Sequence, residues 1–176
     1  MPLLTGLIFS ALLLASLSNI LRNFSRHGVI EEKEMTQGKK TLSNVVPVLV
    51  AALVCDVAVA DPGTGKKNLI GIFDRINVGG KFPTKHSMSL YMKVTDAEGY
   101  YETEVRYVQV SSGKVLAQAK GELQSTDRLA SADLYIQFPP LLIPEAGRYE
   151  FQVWANSIFL GATFIDAIPR PEPKGV

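Results

Sequence analysis

Hydrophobic and polar residues alternate with a period of two over much of residues 46–168. In an extended chain that period sends successive side chains to opposite faces, so each run predicts a strand with one buried face and one wet one. The clearest run is 86–95 (HSMSLYMKVT). There Met88, Leu90, Met92 and Val94 are expected inside, with Ser87, Ser89, Lys93 and Thr95 outside. Over 100–110 the same rule puts Tyr101, Val105 and Tyr107 inward and Glu102, Glu104 and Arg106 outward. Over 148–156 it buries Tyr149, Phe151 and Val153 and exposes Arg148, Glu150 and Gln152.

Two runs break the alternation. Residues 46–60 (VPVLVAALVCDVAVA) are too continuously apolar for a half-exposed strand. Valine richness and the turn that follows favour a strand over a helix. Residues 158–168 are also apolar on both faces, which suits an interior place in a sheet.

The punctuation between runs is turn chemistry. Asp61-Pro62-Gly63-Thr64-Gly65-Lys66 combines a proline that presets φ with glycines that accept positive φ, so 68–78 (NLIGIFDRINV) is expected to return as a hairpin partner of the first strand. Gly79-Gly80, residues 96–99, residues 111–114 and Pro144-Glu145-Ala146-Gly147 mark further reversals. Strands at 115–123 and 132–138 complete the set, with a polar loop at 124–130 and Pro139-Pro140 ending the pairing. The spacing predicts an all-β fold, an antiparallel β-sandwich of about eight strands with immunoglobulin-like or C2-like character.

Residues 2–21 lie outside this pattern: an uncharged, mostly apolar stretch of the ~20 residues a bilayer-spanning helix needs. Three readings stand side by side. A secretory signal lacks a basic leader here but has a passable Ser16-Leu17-Ser18 cleavage site. A membrane anchor, with Arg22 and Arg26 just beyond it, would leave the domain facing the cytosol. A start assigned too far upstream would place the true beginning at Met35, before MTQGKKTLSN. The expected organisation is an apolar segment over 1–34, a linker over 35–45, the β domain over 46–168 and a proline-rich tail over 169–176.

Composition narrows the function classes. The chain has 176 residues, 47% hydrophobic and 20% charged, which suits a single globular domain. Eighteen basic against 17 acidic residues leave a net charge of +1, without the basic bias that nucleic-acid binding requires. The single cysteine, Cys55, excludes an internal disulfide and agrees with a cytoplasmic location; a membrane-anchored domain facing the cytosol and a secreted protein are the alternatives.

The stretch 138–167 (FPPLLIPEAGRYEFQVWANSIFLGATFIDA) resembles the closing hairpin of immunoglobulin-like and C2-like sandwiches, with Pro-x-x-Gly before an aromatic-x-aromatic strand. LVCD at 53–56, LIGIFDRI at 69–76, PEAGRYEF and LGATFID are similar to a family of uncharacterised bacterial proteins, a domain of unknown function with a "CD" strand and a "GIFDRI" strand. The resemblance covers about 46–168, and GIFDRI is its most specific part. It implies a start close before the first strand, and it offers no catalytic residues to carry over.

Candidate chemistry is sparse. Asp56, Asp74 and Arg75 are charges inside apolar strands, where burial is costly unless they are paired. They read either as a ligand-binding ion pair at a sheet edge or as an internal salt bridge or strand-end feature. Cys55 lacks a base, since the only histidines are His27 and His86, and the same count argues against zinc. Asp61, Asp96, Glu98 and Asp127 lack the ligand grouping that calcium needs. Gly63-Thr64-Gly65-Lys66-Lys67 lacks phosphate-loop spacing and leads into a strand. Trp154 falls on the outer face by alternation and is a contact anchor there, unless a bulge near Ala155-Asn156 turns it inward.

The expectation is a non-catalytic binding or scaffolding module without cofactor or metal. It would bind a protein partner or self-associate, bind no nucleic acid, and meet a membrane only through residues 1–34. The alternative is a small-ligand, glycan or membrane-surface module that works through the loops at one end.

Overall fold

In the computed structural model, residues 41–170 are described, and every regular element among them is a strand. Residues 1–34 and the tail from Pro171 lie outside the described residues. No helix among those described is long and apolar enough to cross a membrane.

Eleven strands form three sheets. A four-stranded sheet has β1 (Val48–Ala60), β2 (Lys67–Ile72), β5 (Ser89–Thr95) and β8 (Ala132–Gln137) in the order β2-β1-β5-β8. A five-stranded sheet has β3 (Arg75–Val78), β6 (Gly99–Gln109), β7 (Lys114–Ser125), β10 (Gly147–Ala155) and β11 (Ile158–Pro169) in the order β3-β11-β10-β6-β7. The short strands β4 (Thr84–His86) and β9 (Leu141–Ile143) pair with each other.

Both large sheets contribute to one core. Val54, Met88, Leu90, Met92, Val94 and Leu134 join Tyr101, Val105, Tyr107, Phe151 and Ile165 in a single buried cluster. The inward rows read from alternation on β5, β6 and β10 are therefore buried, but Ser89, expected outside, is buried too, and its hydroxyl donates to the Asp56 carbonyl at 3.3 Å. Two tyrosines at strand starts tie their own loops down. The Glu98 N–H donates to the Tyr101 hydroxyl (2.9 Å), which donates to the Glu98 carbonyl (3.0 Å). Tyr149 donates to the Glu145 carbonyl at 2.7 Å. Each buried ring keeps its polar end satisfied by backbone only three or four residues upstream.

The expected eight strands become eleven in three ways. Residues 68–78 do not form one hairpin strand. β2 pairs antiparallel with β1, then the chain leaves that sheet at Phe73-Asp74, and β3 pairs parallel with β11. The sheets are thus not purely antiparallel. Strand β4 separates from β5, and β9 forms directly after Pro139-Pro140, where pairing was expected to stop. Proline forbids donation at its own nitrogen but not at the residues that follow.

The GIFDRI segment makes the crossing. Gly71 has φ +66°, and a Cβ there would collide with the Asp56 carboxylate. Glycine meets both demands. Phe73 then packs edge-on against His86, with centroids 5.8 Å apart. The Asp166 N–H donates to the Asp74 carbonyl at 2.8 Å, which attaches the crossing to the second sheet.

The expected linker is ordered where described. Leu42 bridges Tyr100, the Ser43 N–H donates to the Tyr100 carbonyl at 2.8 Å, and the Ser43 hydroxyl donates to the Glu98 carbonyl. At the other end Pro169 still belongs to β11, and the Arg170 N–H reaches the Val78 carbonyl at 2.9 Å.

Candidate functional site

The outward row of β10 is Arg148, Glu150, Gln152 and Trp154, and register sets it beside Asp166, Phe164, Ala162 and Phe159 of β11. A bulge shifts the ladder at Val153/Trp154, where two residues of β10 face an extra one on β11. It does not turn Trp154 inward. The indole remains on the outer face beside Phe159, with ring centroids 5.2 Å apart. The Arg106 guanidinium lies 4.4 Å from the indole centroid and donates to Glu104. The cation–π contact and the carboxylate together hold Arg106 over the ring. Trp154 is therefore half-buried, and its Nε1 is covered without a hydrogen-bond partner among the described residues.

A second stack of the same composition stands further along the face. Arg148 donates to both carboxylate oxygens of Asp166, at 2.8 and 3.0 Å, while its guanidinium lies 3.9 Å from the Phe164 centroid. The hydrogen bonds from Arg148 hold the Asp166 carboxyl below the ordinary carboxylate range, helped by the charge of Arg75. Phe159 and Phe164 remain 51% and 42% exposed, large values for aromatic side chains in a sheet. Two carboxylate–arginine–aromatic stacks thus share one outer face.

The four residues singled out from the sequence do not form one site. Trp154 anchors the first stack. Arg75 pairs in register with Asp166 and lines a shallow groove of about 300 Å³ with Arg148, Gly147 and Asp166. Asp74 acts at the crossing through its backbone. Asp56 is on the other sheet, over Gly71. The expectation that Asp56, Asp74 and Arg75 are buried is corrected: all three are exposed, and none forms an ion pair within 4.0 Å with a described residue. For Asp74 and Arg75 the reason is the crossing, which takes them out of the first sheet at its edge; Asp56 stays in β1, with its carboxylate over Gly71.

Arg106, Phe159, Phe164 and Asp166 escaped the sequence reading as a group. The signal that points to them is the apolar outer row of 158–168, which the pattern alone assigns to an interior strand. Only Asp166 and Ala167 of β11 are paired on both sides, because β3 meets the strand just where its ladder with β10 ends.

Other candidates are occupied by structure. Cys55 is buried, and burial, then the neighbouring Asp56 charge, pushes its thiol up. Asp61 accepts from the Gly63 N–H at 2.8 Å within its turn. Asp96 accepts from Arg128 at 2.7 Å, and Asp127 accepts from the Leu129 N–H at 2.9 Å. Among the described residues no three of His, Cys, Asp or Glu are grouped as a metal would need.

The fold and this face define an all-β domain built of two large sheets and a two-stranded one around one core. The chain belongs to a family of unknown function (DUF6941), whose model matches residues 50–165. That span runs from the first strand through the crossing to the second stack. No curated protein matches the chain.

Proposed function

We propose that the domain is an immunoglobulin-like or C2-like β-sandwich that acts without catalysis, as a protein-binding module in the cytoplasm. Its contact surface is the outer face of the five-stranded sheet. The observation that carries the reading is the pair of arginine–aromatic stacks at Trp154 and Phe164. Tryptophan and arginine are the residue types that dominate binding energy at protein interfaces, and flat, partly pre-ordered side chains lose little entropy on contact. The two tyrosines bonded back to their own loops favour the immunoglobulin-like class. A cytoplasmic location accords with a single buried thiol. The absence of catalysis accords with the state of the titratable groups named above: Cys55 is covered, and the carboxylates of both stacks are engaged by arginine.

A photo-crosslinker at Gln152, between the two stacks, tests this in the native cell. One protein partner should be captured there, and the capture should be lost in Trp154→Ala and Phe164→Ala. Capture that is unchanged in both variants, or no adduct at Gln152, overturns the proposal.

A further inference from the structure

Strand β7 is the longest free edge among the described residues. It closes the five-stranded sheet, is 12 residues long, and pairs there with β6 alone. The other ends of the two large sheets, β2, β8 and β3, have six, six and four residues. An edge strand presents a row of unpaired N–H and C=O groups, and folds blunt it with proline, an inward charge or a bulge. Strand β7 contains no proline, and its register shift lies near the Lys114 end, at Tyr107/Val108 of β6. From Ala117 to Ser125 the ladder is regular. Along that stretch Ala119, Gly121 and Leu123 share the row of the buried Tyr101 and Val105, while Lys120 and Glu122 share the outward row of Glu104 and Glu102.

We infer that β7 pairs antiparallel with β7 of a second copy, about a two-fold axis at Gly121, joining the two five-stranded sheets into one. The charges on the edge choose both that occupant and that register. Residues directly opposite each other share a sheet face, so the axis of a symmetric pair falls on a residue that meets itself. An axis at Gly121 engages all of 117–125 and sets Lys120 opposite Glu122 of the second copy, twice. An axis at Lys120 sets two lysines against each other, and an axis at Glu122 two glutamates. Opposite charges stabilise a directly opposed pair and like charges destabilise it. The edge is thus self-complementary at its fullest overlap and repelled in the two adjacent registers. Lysine alone would guard the edge; with Glu122 two positions on, it selects a copy of the same strand.

The surroundings agree. Lys120 is exposed and forms no ion pair within 4.0 Å with a described residue, since Glu104 across the ladder is engaged by Arg106. Glu122 accepts from the Tyr100 hydroxyl and stands opposite Glu102, so a cation on its open side is favoured over an anion. On the core side Leu123 meets Ala119 of the second copy, and Gly121 brings no side chain to the axis, which suits close approach of another backbone. The two-fold axis stands perpendicular to the sheet, so the outer faces of both copies, with their Trp154 stacks, lie on one side. The inference goes beyond the partner-binding face and does not rest on it.

Light scattering of the full chain across a dilution series tests this. The expected result is a dimer at high concentration that dissociates to monomer on dilution. Lys120→Glu and Glu122→Lys each place like charges opposite one another in both symmetric pairs, and each should weaken dimerisation about tenfold or more. The double variant Lys120→Glu/Glu122→Lys restores the pairing with its signs exchanged and should recover most of the lost affinity. Both positions are exposed, so circular dichroism should show all three variants folded. A wild-type chain that stays monomeric overturns the inference. So does a dimer indifferent to either single reversal, or a double variant no tighter than the singles. Trp154→Ala should leave this dimer intact, so the crosslinking result at Gln152 and the edge pairing fall separately.

Discussion

Arg148 and Asp166 face each other across the β10–β11 ladder, and the guanidinium donates to both carboxylate oxygens while lying over Phe164. The pair holds Asp166 ionised at pH values where an unfolded aspartate, with a pKa of ~3.9, has begun to protonate. The stabilisation is therefore complete above that unfolded value and is lost as pH falls through the depressed folded one. The pair is solvent-exposed, which limits its size. Asp166→Asn is expected to lower Tm by a few degrees at most at pH 7, less in high salt, with the gap closing as pH falls below the unfolded aspartate value. Melting curves across pH check this, and a gap that widens in acid would contradict it.

Tyr107 is expected to tolerate loss of its hydroxyl. The ring stacks on Tyr149 and Phe151 at 5.4 and 5.0 Å, but its buried oxygen has no partner among the described residues. Burial, and then Tyr149, pushes the phenol above its ordinary range. An unsatisfied buried polar group costs about 1–3 kcal/mol. Tyr107→Phe should therefore be neutral or stabilising in urea unfolding, whereas Tyr149→Phe, which loses the bond to Glu145, should cost about 1 kcal/mol.

Gly71→Ala should destabilise by about 2 kcal/mol or more, because it adds a side chain at positive φ and drives it into Asp56. Asp56→Ala removes the carboxylate and should recover part of the loss, leaving the backbone cost. A double-mutant cycle in denaturant separates the two contributions, and simple additivity would show that the Asp56 contact is immaterial.

Asn156 clips three elements together. Its N–H donates to the Glu102 carbonyl at 2.8 Å, its Oδ1 accepts from the Glu102 N–H at 2.9 Å, and its Nδ2 donates to the Ser43 carbonyl at 2.9 Å. Its φ of 47° suits asparagine better than most residues. Asn156→Ala should cost about 1–3 kcal/mol and raise amide exchange at Ser43. Asn156→Gly keeps the backbone conformation and should show the exchange effect with a smaller loss of stability.

Much of the strand pattern is legible because it is local. Met88, Leu90, Met92 and Val94 are buried as a row, as are Tyr149, Phe151 and Val153, since a period of two depends only on the direction of successive Cβ bonds. The turn at 61–66 is equally readable, as Asp61 closes it with its own side chain and backbone. Of the candidate site, alternation points Trp154 outward, but only the structure shows that the bulge does not turn it in. Its packing partners Arg106 and Phe159 are not legible this way, because they come from two other strands.

The division follows from range. The sequence by itself determined an all-β chain, the inward rows of its strands and the turns that separate them, all set by residues a few positions apart. Only the tertiary structure decided that the chain changes sheets at Phe73-Asp74, that β3 joins β11 in parallel, and that Asp56, Asp74 and Arg75 reach solvent. It also decided that Phe159 and Phe164 of β11 are left exposed. Those outcomes depend on which strand finds which neighbour across the core, and an apolar row looks the same in sequence whether it ends up covered or open.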